Sequence, residues 1–132
     1  MSAATKPIRE FLSPLPHTVG VEQTINHAQT VMRDEKIRHL PVLSGGALVG
    51  IVSDRDLGLV GALNDIDPTK TAVEEAMSAD PYTVGPDAPL GDVISVMATK
   101  SYGSVLVTEG QKVVGIFTTT DAVRLLADLL KT

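Results

Sequence analysis

Apolar residues recur along this chain in two kinds of pattern, and each kind occurs twice. Ile25, Ala28, Val31 and Met32 share one face of a helical repeat, and Leu90, Val93, Val96 and Met97 reproduce the spacing. Both stretches predict amphipathic helices. Pro89 suits a first helical turn, where its missing N–H costs nothing. Beyond each helix the pattern becomes that of a hairpin. Residues 40–44, a Gly45-Gly46 turn and residues 47–52 form the first; residues 104–108, Glu109-Gly110 and residues 112–117 form the second. With a short extended piece at Thr18–Gly20 and closing helices from about residues 54 and 119, each half reads β-α-β-β-α. The predicted fold class is therefore α+β, built from a tandem duplication.

The duplication is visible residue by residue. A shift of 65 positions lays Glu10 on Glu75, Ser13 on Ser78, Thr18 on Thr83, Gly50 on Gly115 and Asp56 on Asp121. In this alignment one residue is lost between Met97 and Gly103 and one is regained near Gly110, as loops tolerate and strands do not. The expected organisation is a leader at 1–7, a first repeat at 8–72 with a linker from about 61, and a second repeat at 73–132. A duplicated unit predicts pseudo-two-fold packing with related clefts between the halves.

Composition narrows the picture. A half of this size buries too little surface to be comfortable alone, so the halves should share their stability. Apolar content of 43% with two Phe, two Tyr and no Trp calls for an aliphatic core. A net charge of −5 argues against a nucleic-acid surface. No apolar run approaches the ~18 residues of a membrane span. The opening residues lack a signal-peptide core, and there is no cysteine, so a cytoplasmic protein without disulfides or thiol chemistry is expected. Three scattered histidines make no metal site, with His17 and His27 read as structural or exposed. No phosphate-binding glycine loop or nucleophile elbow is present, so no catalytic activity is expected. The closing helix carries a wide stripe, Ala122, Leu125, Leu126 and Leu129 with Val123 and Leu130. Such a stripe is either deeply buried or a self-association face.

The polar chemistry gathers where each hairpin meets its closing helix. The first junction reads Gly50-Ile-Val-Ser-Asp-Arg-Asp56 and the second Gly115-Ile-Phe-Thr-Thr-Thr-Asp121. Ser/Thr-x-x-Asp at a helix start is a capping arrangement, with the hydroxyl on backbone N–H groups and the acid at the positive helix end. The same geometry suits a nucleotide. Hydroxyls and N–H groups at a helix start take phosphate, and a carboxylate one turn in can accept hydrogen bonds from vicinal hydroxyls.

Lys36-Ile-Arg-His-Leu-Pro-Val-Leu, a glycine turn and Leu48-Val-Gly-Ile-Val-Ser-Asp-Arg-Asp-Leu resemble a cystathionine-β-synthase (CBS) domain. The onset Ser78-Ala-Asp-Pro-Tyr-Thr-Val is similar to the start of another such repeat, so the resemblance covers about residues 8–130. It implies a stand-alone CBS pair (Bateman module), regulatory in role, with no required cofactor. Such pairs bind adenosyl ligands such as AMP, ADP, ATP or S-adenosylmethionine between the repeats. They often dimerise through their helices, and the expected output goes to a separate effector protein or to the dimer itself. Carried over by motif, cleft one joins Thr118, Thr120 and Asp121 with Thr18, Ile37, Arg38 and His39. Cleft two joins Ser53, Arg55 and Asp56 with Thr83, Tyr102 and Gly103. Cleft one has Arg38, a permanent cation able to fork onto phosphate, and His39, whose charge depends on pH. Cleft two has Tyr102 and Gly103 at the matching positions, and its cation Arg55 is flanked by two acids. The expectation is that cleft one is the better phosphate site, with Asp121 on the ribose, Thr118 and Thr120 on the phosphate and Ile37 on the base. Tyr102 either stacks on a base or simply packs. The rival reading is a ligand-free dimerisation or interaction module in which the Ser/Thr-x-x-Asp groups only cap helices.

Overall fold

The structure, a computed structural model, describes residues 3–14 and 17–131, with the backbone alone at Ser13 and Pro14. Its strands and helices run β1 (Ser13–Pro14), β2 (Val19–Gly20), α1 (Ile25–Glu35), β3 (His39–Ser44), β4 (Ala47–Ser53), α2 (Asp54–Gly61), β5 (Thr83–Val84), α3 (Leu90–Lys100), β6 (Ser104–Glu109), β7 (Lys112–Thr118) and α4 (Thr119–Leu129). The fold class is α+β, as the pattern predicts. Short 3-10 turns at Ala3–Thr5, Ile8–Phe11 and Val73–Glu75 complete the described elements.

Two compact units emerge, and they do not follow the sequence halves. Residues 17–81 form a contiguous unit, whereas residues 3–14 join 82–131 in a split unit. In the contiguous unit β2 runs parallel to β3, and β3 pairs antiparallel with β4. Ile25, Ala28 and Met32 of α1 close over Leu40, Val42 and Val52 of the hairpin and Leu57 of α2, all buried. Burial of this kind contributes roughly 1.5–3 kcal/mol per large aliphatic side chain. The split unit repeats the design. β5 runs parallel to β6, β6 and β7 form the hairpin, and Leu90, Val93 and Met97 cover Val105, Val107 and Phe117. Val96, placed by periodicity on the same face, is instead exposed; the face narrows to Leu90, Val93 and Met97.

The segment read as the onset of each repeat packs on the other repeat's core. Ile8 is fully buried among Leu90, Val93 and Phe117, and its counterpart Val73 is fully buried in the contiguous unit. The backbone bonds correspond one for one. Ile8 N–H reaches the Ala88 carbonyl at 2.8 Å, and Val73 N–H reaches that of Gln23 at 2.7 Å. Arg9 donates to Pro86 at 3.1 Å, and Glu74 to Val21 at 3.2 Å. β1 pairs with β7 through Ser13 and Ile116, while Ser78 bridges Ile51. Residues 3–7 therefore group with the split unit. Glycines mark both seams. A side chain at Gly50 would stand 2.6 Å from the Ser78 carbonyl oxygen, and one at Gly115 would stand 2.7 Å from the Leu12 side chain.

The shift of 65 holds without interruption, which corrects the expected pair of compensating indels. α1 and α3 end on left-handed residues at equivalent places, Lys36 (φ 57°) and Ser101 (φ 59°). The next N–H groups, of Ile37 and Tyr102, return to the carbonyls of Met32 and Met97, both at 3.0 Å. Both hairpins bulge at the same point, between Val42 and Leu43 and between Val107 and Thr108. Tyr102 thus matches Ile37, Gly103 matches Arg38 and Ser104 matches His39. Nothing within the segment itself marks this register in the sequence, because Ile37–His39 and Tyr102–Ser104 share no residue type.

The segment leading into residue 73 is tied down by Asp67. Its carboxylate accepts from the Thr69 hydroxyl at 2.6 Å and the Thr69 N–H at 2.9 Å. The hydroxyl bond first, then the backbone bond, hold the Asp67 carboxyl below the usual aspartate value. A depressed carboxyl stabilises the fold above its unfolded-state value, and this contribution is lost as pH falls through the folded value. An NMR titration is expected to show a low Asp67 midpoint that rises in Thr69→Ala. Superposable titration curves for the two proteins would refute the assignment.

Candidate functional site

Each hairpin delivers its last residue into a helix cap. Thr118 caps α4: its Oγ1 accepts the Asp121 N–H at 3.3 Å, and Asp121 Oδ2 accepts the Thr118 N–H at 2.8 Å. The Thr118 hydroxyl also lies 3.1 Å from Asp121 Oδ2. Ser53 caps α2 in the same way, but more loosely on one side. Asp56 N–H reaches Ser53 Oγ at 3.1 Å, and Ser53 N–H reaches Asp56 Oδ2 at 3.4 Å. Both are complete capping boxes, so the structural reading of the two motifs holds for both.

The residues ahead of each hairpin converge on the cap of their own unit. The Asp54 N–H donates to the Arg38 carbonyl at 2.8 Å, and His39 stands opposite Ser53 in the sheet. Thr119 N–H donates to the Gly103 carbonyl at 3.1 Å, and Ser104 stands opposite Thr118. In the contiguous unit, residues expected in cleft one (Ile37, Arg38, His39) therefore neighbour residues expected in cleft two (Ser53, Arg55, Asp56). In the split unit, Tyr102 and Gly103 of cleft two neighbour Thr118, Thr120 and Asp121 of cleft one. Thr18 lies exposed just before β2, and Thr83 is exposed at the start of β5. Arg38 is exposed and makes no ion pair among the described residues, while Ile37 packs partly on the core.

The two helix starts differ in charge. That of α2 carries Asp54, Arg55 and Asp56; that of α4 carries Asp121 behind two threonines. Arg124, one turn further along α4, lies 3.4 Å from Asp121 Oδ1. Leu59 occupies its place in α2, so the α4 start is the less negative of the two. The sequence reading missed Arg124, although its spacing of three from Asp121 on a predicted helix was the available signal. Within the first turn of α4, the Thr120 N–H has no partner among the described residues, and its hydroxyl is exposed beside it.

Tyr102 packs as well as lining the turn. Its ring centroid lies 5.2 Å from that of Tyr82, tilted by 31°. Burial, then the neighbouring Tyr102 and Asp92, push the Tyr82 phenol above its ordinary value. His17 lies 3.1 Å from Glu35, and His27 lies 3.3 Å from Gln23. Among the described residues no three His, Asp or Glu side chains gather as a metal site. No described helix is long and apolar enough to cross a membrane.

A twice-repeated β-α-β-β-α unit, with a hydroxyl-and-acid cap at each hairpin-to-helix junction, defines a tandem α+β module. The CBS domain family model matches residues 8–57 and 73–128, and the chain belongs to that family, as a pair of CBS repeats. Inosine-5′-monophosphate dehydrogenase of Korarchaeum cryptofilum is 32% identical over 124 residues, covering 92% of this chain and 24% of the dehydrogenase. The chain thus spans about a quarter of that relative. The uncharacterized protein YlbB of Bacillus subtilis is 35% identical over 104 residues, covering 76% of this chain and 69% of YlbB. Among crystal structures, the CBS domain pair of protein MJ0100 in complex with 5′-methylthioadenosine and S-adenosyl-L-methionine superposes with a TM-score of 0.85. It is 29% identical, over 95% of this chain and 98% of that one.

Proposed function

We propose that this CBS pair is a sensor for an adenosyl compound, of the AMP, ADP, ATP or S-adenosylmethionine class, and that it signals through a partner or a second copy of itself. The observation that carries the reading is the start of α4. There Thr120, whose N–H has no partner among the described residues and whose side chain is exposed, stands beside Asp121, whose carboxylate lies 3.1 Å from the Thr118 hydroxyl. Donors at a helix start suit phosphate, and Asp121 suits sugar hydroxyls. The similarity to a pair that binds adenosyl compounds supports the class.

In this reading Thr118, Thr120 and Asp121 act with Thr18, Ile37, Arg38 and His39 as the phosphate-bearing set. Ser53, Arg55 and Asp56 act with Thr83, Tyr102 and Gly103 as a weaker set. The corrected register gives Tyr102 the role of Ile37, that of packing on a base. It also gives Gly103 the position of Arg38, so the weaker set lacks that cation. A thermal-shift panel of adenosyl compounds tests the proposal; no shift with any of them sinks it.

A second reading, a protein-interaction module, is favoured by a specific surface. No described residue of α4 is buried, and Val123, Leu126, Leu129 and Leu130 are between 53% and 73% exposed. Ala122 and Leu125 alone of its apolar stripe pack on the core. A helix that leaves this much apolar surface uncovered fits association between copies. Light scattering at micromolar concentration is expected to give a dimer, and Val123→Lys with Leu126→Lys a monomer. A monomeric wild type, or an unchanged mass in the double variant, would refute self-association through α4.

A further inference from the structure

Residues 3–14 sit on the split unit as a peptide sits on a receptor. Ile8 is fully buried against Leu90, Val93 and Phe117, and Phe11 and Leu12 lie partly buried beside it. The backbone adds strand-like bonds: Ile8 to Ala88 at 2.8 Å, Arg9 to Pro86 at 3.1 Å, and Leu90 back to Lys6 at 2.9 Å. β1 then extends the sheet along β7. Leu12 occupies the space that a side chain at Gly115 would fill, and Arg9 pairs with Asp87. Strand addition draws affinity from backbone bonds and specificity from side-chain pockets, and both are present here.

The seat also discriminates between the two related segments. At the positions of Arg9 and Phe11, the second segment carries Glu74 and Ala76. Glu74 at the split unit would oppose Asp87, and Ala76 would leave the volume of Phe11 empty. The fastening differs as well. Ser78 pairs with Ile51 as Ser13 pairs with Ile116, but the Asp67 turn also holds the upstream flank of the second segment, where the Pro68 carbonyl accepts the Asn26 N–H at 2.9 Å. Among the described side chains each segment has a single fully buried one, Ile8 or Val73, and the ion pair of the first is exposed. Few buried contacts and exposed bonds place a segment at the low end of local stability.

We propose that residues 3–14 are a releasable strap over a peptide-docking seat. Once vacated, the seat accepts in trans an extended segment of the strap's own chemistry. That segment has a branched apolar residue, then a basic residue, then two large apolar residues after a one-residue gap.

The test uses the full chain, with a synthetic peptide of residues 3–14 as probe. In native-state hydrogen exchange of the wild type, the amides of Ile8, Arg9 and Leu90 are expected to open together, ahead of Val105 and Val107. Ile8→Ala speeds that group by roughly thirtyfold or more, while the Val73 and Glu74 amides keep their rates. Added to Ile8→Ala protein, the peptide shifts the resonances of Ala88, Leu90 and Ile116, and an Arg9→Glu peptide binds several-fold more weakly. Should Ile8→Ala not fold, the surface variant Arg9→Glu loosens the strap in its place. Strap amides that exchange in step with Val105 and Val107 overturn the release. Unchanged resonances at millimolar peptide, in a variant whose strap amides exchange fast, overturn the docking seat.

Discussion

Replacing Gly50 with alanine is expected to lower the melting temperature by roughly 5–12 °C, as overpacking costs of about 1–3 kcal/mol imply for a domain of this size. Gly115→Ala should cost clearly less. Both glycines are the places where an exchanged segment crosses a strand, but their neighbours differ in stiffness. A methyl at Gly50 meets the Ser78 carbonyl at 2.6 Å and Met77 Sδ at 2.8 Å. The same carbonyl accepts the Ile51 N–H at 3.0 Å, so moving it breaks the bridge that fastens the segment. A methyl at Gly115 meets only side-chain atoms of Leu12 among its nearest contacts. A leucine can change rotamer at a modest cost. Scanning calorimetry of the two variants decides the matter. Equal losses would mean that the contact with main chain does not control the cost.

Asp121→Ala is expected to abolish the stabilisation that an adenosyl compound confers, and Asp56→Ala to weaken it less. A ligand at about 100 times its dissociation constant adds roughly 2.7 kcal/mol, a rise of about 5–15 °C here. Asp121 also serves the α4 cap, so its loss lowers the unliganded melting temperature too, by an amount set by about 0.3–1 kcal/mol. The informative quantity is therefore the increment on adding ligand to each variant. The choice of the α4 start rests on charge: Arg124 offsets Asp121, whereas Asp54 and Asp56 outnumber Arg55. If Asp56→Ala proved the more damaging change, the preference between the two residue sets would be reversed.

The capping boxes were legible because they are local. Hydroxyl and acid three residues apart at a helix start can meet whatever the rest of the chain does, and Ser53–Asp56 and Thr118–Asp121 meet as expected. The hairpins were legible for the same reason, through alternation and glycine at the turn. The match of Tyr102 to Ile37 was not, since an alignment by residue type has nothing to hold there. The repeated left-handed turn at Lys36 and Ser101 and the matching N–H bonds of Ile37 and Tyr102 fix it. The grouping of Arg38 and His39 with Ser53 inside one unit also needed the sheet, because His39 stands opposite Ser53 and the Asp54 N–H donates to the Arg38 carbonyl.

By itself the sequence determined the duplicated α+β unit, its helices, its hairpins and its polar junctions, all products of short-range periodicity and capping. Tertiary structure alone decided which core each onset segment completes. Ile8 and Val73 carry the same message in the sequence, a branched apolar residue in a short segment. That message says that the side chain will be buried and leaves open in which half. The choice is made by partners some 80 or 50 positions away, Ala88 and Gln23, whose carbonyls take the two N–H groups. Exposure of α4 was likewise settled in three dimensions, because an apolar stripe records a preference for burial and the chain's own core covers only Ala122 and Leu125 of it.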